Sequence, residues 1–117
     1  MIVTSNLCGS SGKQITAIAL ARLMKCGWHH MDNSAVLLLR LLDQLGVKKA
    51  TIAGLDGFTQ GENYAEGLME NLHTYDSIYE LNVEIQSMLK DFMNEKRTDM
   101  EVRLLTESQF SSIINEV

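Results

Sequence analysis

The sequence predicts an α/β fold, layered around a mostly parallel sheet. Three observations predict it. Strand-like and helix-like runs alternate along the chain, and parallel neighbours need helical crossovers. One strand-like run, residues 50–55, is apolar on both faces, as in a sheet covered by helices on either side. The length, 117 residues, suits one modest core but not an eight-fold barrel. The expectation is one α/β domain over residues 1–117.

Taken in order, Ile2 and Val3 read as a short strand ending in the polar residues Thr4, Ser5 and Asn6. A Gly-Ser loop over residues 8–13 follows. Residues 14–21 fit two descriptions. Ile15, Thr16 and Ile18 suit a strand, whereas Ala17, Ala19, Leu20 and Ala21 suit a helix. Asp32, Asn33 and Ser34 are all good N-cap residues for a helix over residues 35–45, and Gly46 stands where a left-handed C-terminal cap is wanted. Only Arg40, Asp43 and Gln44 are polar in that helix, which predicts a narrow strip facing water. Lys48 and Lys49 lead into the strand at 50–55, completing an αβ half-unit. After a loop from Asp56 to Tyr64, with a short helical turn over residues 65–72, Ser77 and Glu80 match a capping box. They predict the start of a long amphipathic helix with Ile78, Leu81, Ile85, Met88, Leu89 and Phe92 on one face, and with Lys96 and Arg97 against the negative end of its dipole. Residues 100–105 read as a strand. Thr106–Ser108 then open a terminal helix over 109–117, with Phe110, Ile113 and Ile114 inward.

Composition narrows the function classes. Average usage would give roughly six prolines in a chain this long, yet there are none, which excludes proline-rich linkers and PxxP ligands. The net charge of -5 divides unevenly. Residues 1–55 carry six Lys/Arg against Asp32 and Asp43, whereas residues 56–117 carry four against thirteen Asp/Glu. The basic residues are scattered, so nucleic acid is not an expected partner, and the acidic half reads as a solvated face. Apolar runs fall short of the roughly 18 residues that a membrane span needs, and no signal peptide is evident. With only Cys8 and Cys26 and no C-x-x-C pair, the expectation is a cytoplasmic protein with two free thiols, one disulfide being the alternative.

Three constellations invite chemistry. Residues 9–13, Gly-Ser-Ser-Gly-Lys, resemble a phosphate-binding loop, but Leu7 replaces its first glycine and Gln14 its magnesium-binding hydroxyl, so a surface loop is the better reading. His29, His30 and His73 lack metal-ligand spacing and read as solvated or capping residues, and neither cysteine has a partnered histidine. The strongest local signal is Gly54, Leu55, Asp56, Gly57 and Phe58, at the carboxyl end of the best strand, where open parallel sheets bind ligands. Asp56 there suits a ribose or sugar hydroxyl, or a metal; a turn-stabilising Asp-Gly is the plain alternative. Asn33 and Ser34 belong to the same end of the sheet, and Asn63 and Tyr64 are placed to fold over that edge. Seven methionines at mainly apolar helical positions read as core filler or a partner-helix surface.

Together, Asp32-Asn33-Ser34 with Leu37-Leu38-Leu39-Arg40-Leu41-Leu42, Leu45-Gly46-Val47-Lys48-Lys49, Gly54-Leu55-Asp56-Gly57-Phe58 and Asn63-Tyr64 resemble the C-terminal domain of bacterial HMG-CoA-lyase-like aldolases, the 4-hydroxy-2-oxovalerate aldolase type. Val3-Thr4-Ser5-Asn6 resembles the strand and turn before this block, so the likeness covers most of residues 2–64. Leu55 replaces the usual aromatic residue.

The resemblance implies a three-layer, Rossmann-like domain with a short, mostly parallel sheet of three to four strands flanked by helices. It also implies a truncated start, with about two strands normally before residue 1, and an N-terminal aldolase barrel in the parent protein. That barrel carries the metal-dependent lyase chemistry, and no catalytic or metal-binding residues are expected in this chain. The function expected is an accessory domain with a nucleotide or sugar-nucleotide ligand at the strand ends, held by Asp56, Gly54, Gly57, Asn33, Ser34, Asn6, Asn63 and Tyr64. An interaction or homo-oligomerisation module, using the Met-rich helix or an unpaired first strand, is the alternative. No cofactor is specified.

Overall fold

The structure, a computed structural model, describes residues 2–4, 16–30, 32–59 and 75–117. It is α/β, with strands β1 (Ile2–Thr4), β2 (Thr16–Ile18), β3 (Lys49–Ile52) and β4 (Glu101–Leu104), and helices α1 (Ser34–Gln44) and α2 (Tyr75–Glu95). The strands pair as two separate parallel ribbons, β1 with β2 and β3 with β4. Among the described residues there is no continuous sheet of three or four strands. Within the ambiguous stretch 14–21, residues 14 and 15 lie outside the described residues, Thr16–Ile18 form the strand β2, and a single 3-10 turn, Leu20–Arg22, follows.

The αβ half-unit is formed by local rules. Of the three candidate caps, Asn33 is used: its backbone is extended and its Oδ1 accepts from Ala35 N at 2.9 Å. At the other end Gly46 takes φ +73°, its N–H reaching Asp43 O and that of Val47 reaching Leu42 O, both at 3.0 Å. These two bonds are a Schellman cap, which glycine enters without a Cβ penalty. The polar strip is not the predicted one. Asp43 is buried, while Leu38 and Leu45 are more than half exposed. The reason lies outside the helix. The Asp43 carboxylate accepts from Arg97 N (2.8 Å), Thr98 N (3.0 Å) and Thr98 Oγ1 (2.6 Å), tying the end of α1 to the turn between α2 and β4.

β3 and β4 run in parallel register from Lys49↔Glu101 to Ile52↔Leu104, with α2 as the crossover. β3 ends at Ile52 rather than Leu55, and exposure alternates along it, so it is not covered on both faces by the described residues. α2 begins at Tyr75, which places Ser77 inside the helix rather than at its cap, and Lys96 and Arg97 follow the helix rather than forming its last turn. The predicted apolar face does form: Ile78, Ile85, Met88, Leu89 and Phe92 are buried and Leu81 packs against them partly covered. They meet Val36 and Leu39 of α1, Val102 and Leu104 of β4, Leu55 and Phe110 in one core. Leu23, Leu37 and Leu41 form a smaller cluster.

The predicted terminal helix is absent. Residues 109–113 form turns, closed by Ile113 N to Phe110 O (2.9 Å) and Ile114 N to Phe110 O (3.1 Å). Beyond them the chain returns along β4, with Leu104 N donating to Asn115 O (2.9 Å) and Val117 N to Leu104 O (2.8 Å). The open edge of β4 offers hydrogen bonds that the last residues of a short helix would leave unmade. Phe110 and Ile114 still point inward, as their spacing predicted.

Candidate functional site

Two loops leave the carboxyl ends of β3 and β4 side by side. Leu105 N reaches Ile52 O at 2.7 Å, extending the ladder by one bond. From there side chains join the loops. Thr106 Oγ1 accepts from Gly54 N (3.0 Å) and donates to Asp56 Oδ1 (3.3 Å). Ser108 Oγ donates to Leu55 O and accepts from Phe110 N (3.1 Å), while Gln109 N donates to Asp56 O (3.0 Å). α2 contributes Asn82, whose Oδ1 accepts from Phe58 N (2.9 Å) and whose Nδ2 donates to Phe58 O (2.8 Å) and Gln109 Oε1 (3.2 Å).

The result is an open crevice of about 510 Å³ lined by Asp56, Thr59, Thr106, Glu107, Ser108 and Gln109. Two carboxylates, three hydroxyls and an amide face it, and among the described residues no lysine or arginine does. Such a lining accepts hydrogen bonds from hydroxyl or amine groups and repels phosphate. Asp56 is the exposed acceptor, positioned by Thr106 behind it.

Of the expected site residues, Asp56 lines this crevice, and Gly54 and Gly57 shape the loop that carries it. Gly57 has φ +93°, and a Cβ there would lie 3.1 Å from Gln109 Cδ. Gly57→Ala is therefore expected to lower stability by about 1–2 kcal/mol, measured by urea denaturation; an unchanged midpoint would show that the loop readily takes another conformation. Asn33 caps α1 and Ser34 lies exposed in its first turn; neither lines the crevice. Asn6, Asn63 and Tyr64 lie outside the described residues, as do the Gly-Ser loop at 9–13, Cys8 and His73. Thr106, Glu107, Ser108, Gln109 and Asn82 are additions. The strand-end rule that points to Asp56 applies equally to the residues after β4, although Thr106, Glu107 and Ser108 also have the pattern of a helix start.

Elsewhere, His30 Nδ1 and the backbone N–H groups of His29 and His30 converge on Glu84. Burial raises the Glu84 carboxyl, but the bonds from the His30 ring and the two N–H groups outweigh it and hold it below 4.5. Cys26 is a free, exposed thiol. Among the described residues no group of three His, Cys, Asp or Glu is placed to hold a metal ion, and no helix is long and apolar enough to cross a membrane. Comparison with protein families, curated proteins and solved structures finds no match to this chain.

Proposed function

We propose that this chain is an accessory, ligand-binding α/β domain that takes the sugar portion of a nucleotide or sugar nucleotide in the crevice beyond β3 and β4. The observation that carries this reading is Asp56, exposed at the carboxyl end of a parallel strand and steadied by Thr106 from the neighbouring strand's loop. A carboxylate so placed accepts from a vicinal diol through its two oxygens. Phosphates, where present, extend away from Asp56 and Glu107. The aldolase-type parentage, with catalysis in a separate N-terminal barrel, rests on the sequence resemblance and belongs to the same reading, as does a cytoplasmic setting for the free Cys26 thiol.

A Rossmann-like, three-layer arrangement extends the proposal. Both ribbons are parallel, and an apolar groove of about 360 Å³ runs along β3, lined by residues such as Leu38, Leu42, Val47 and Ile52. Joining the β1 edge to β3 would give the order β2-β1-β3-β4. Strand order then reverses between β1 and β3, the kind of switch point at which open parallel sheets bind ligands. The same groove also supports the second reading, a homo-oligomer that covers it with another copy. A sharp monomer peak in light scattering at high concentration would oppose that one.

The test of the main reading is a thermal-shift screen with nucleosides, nucleotides and nucleotide sugars. At a hundred-fold excess over Kd, a ligand stabilises by about 2.7 kcal/mol. Asp56→Ala removes a charged acceptor and is expected to weaken binding about ten-fold or more. Absence of any ligand-dependent shift in the wild type, or equal shifts in Asp56→Ala, would overturn the assignment.

A further inference from the structure

The segment between β2 and α1 lies along α2 and is held there mainly through charge. Lys25 Nζ sits between Asp91 Oδ2 (2.7 Å) and Glu95 Oε2 (2.6 Å). Further back along the helix, Glu84 gathers the N–H groups of His29 and His30 and the His30 ring. Positions 84, 91 and 95 fall on one helical face, and they span roughly 16 Å at 1.5 Å per residue. Residues 25–30 thus run antiparallel to α2 with a contact to a helix carboxylate near each end.

The base of this loop is fixed by different bonds. Lys25 N donates to Asp32 Oδ2 (2.8 Å), Arg40 Nη1 donates to Leu23 O (2.9 Å) and also contacts Asp32, and Leu23 is buried with Leu37 and Leu41. The tip has one apolar anchor, Trp28, which packs against the main core and is only partly covered. Its Nε1 is buried and has no hydrogen-bond partner among the described residues, a cost borne only while the tip is seated.

We propose that residues 25–30 form a salt-sensitive flap that pivots on the Asp32–Arg40 base and releases Trp28 from the core when its charged latch is screened. The latch is suited to this. The side chains of Lys25 and Glu95 are 41% and 62% exposed, so salt reaches the contact directly. No helix or strand ladder holds residues 25–30, and none of them is among the buried residues that make up the core beneath. Opening costs the Glu84 and Lys25 contacts and the Trp28 packing, and regains water for the indole N–H.

Trp28 is the chain's only tryptophan, so its fluorescence reports on the flap alone. The experiment is acrylamide quenching of the full chain between about 0.01 M and 1 M NaCl, where the screening length falls from about 30 Å to 3 Å. Far-ultraviolet circular dichroism is followed in parallel. The expected result is a quenching constant that rises about two- to five-fold with helicity unchanged. Asp91→Asn with Glu95→Gln is expected to start high at low salt and respond weakly. Lys25→Gln, which leaves α2 untouched, is expected to do the same. A constant that ignores salt in the wild type and is unaltered in the folded variants would overturn the flap. Quenching that rises only together with loss of helicity would overturn it too, because the segment would then belong to the global folding unit.

Discussion

Phe110→Ala is expected to cost about 3–5 kcal/mol of folding stability, the range for removing a fully buried aromatic side chain. Phe110 has no exposed surface and joins the end of β4 to α2 in the main core. It lies in a turn, not in a helix or strand, so the ring does more than fill space. It holds residues 108–114 against the sheet while its carbonyl accepts from Ile113 and Ile114. Against a total stability of about 5–15 kcal/mol for a domain, this one truncation leaves a marginal fold. Urea denaturation should show a lower midpoint with little change in slope. The crevice should fail with it, because Ser108 and Gln109 are positioned from the same turn. Ile113→Ala, at a half-buried neighbour, is the control with the smaller expected loss. A Phe110→Ala cost below about 1 kcal/mol would mean that the cavity collapses and the turn is not an organising element.

Asp43→Ala is expected to cost about 2–4 kcal/mol, because it removes a charged acceptor and orphans three donors at Arg97 and Thr98. Asp43→Asn keeps one carbonyl oxygen and should lose less. The Thr98 hydroxyl holds the Asp43 carboxyl below the ordinary 3.8; burial pushes the other way, and the Arg97 and Thr98 N–H groups and the Lys96 charge add to the lowering. The carboxylate therefore contributes its full stabilisation above pH 3.8 and loses it as pH falls through the lower folded value. Acid denaturation should be shallower in Asp43→Asn than in the wild type over that interval. Identical acid limbs would show that Asp43 has the same proton affinity folded and unfolded. Glu84 follows the same sign, losing its contribution as pH falls below 4.5.

Asp43 also shows where sequence reading stops. As a polar residue in an apolar helix, flanked by Arg40 and Gln44, it belongs by pattern to the solvent strip. Its partners lie 54 and 55 residues away, in a turn whose own sequence carries no mark of them. The C-terminal residues show the same limit. Phe110, Ile113 and Ile114 have helical spacing, and their inward faces are as expected, but nine residues at a chain end gain little from helix formation alone. The unpaired edge of β4 was the stronger competitor. The crevice was half legible: Asp56 and its glycines stand out at a strand end, whereas Thr106 joins them across a separation of 50 residues.

By itself the sequence determined α1 with a polar cap at residues 32–34 and a glycine stop at Gly46, the buried face of α2, the α/β class and the turn that carries Asp56. All of these follow from capping chemistry, periodicity and positive φ, which act within one or two turns of chain. Tertiary structure decided which N-cap candidate was used, how the strands divided into two ribbons, what Asp43 bonds, and which second loop completes the crevice. Those choices depend on which groups meet after collapse, and a buried donor or acceptor takes the partner within reach, however far away it lies in sequence.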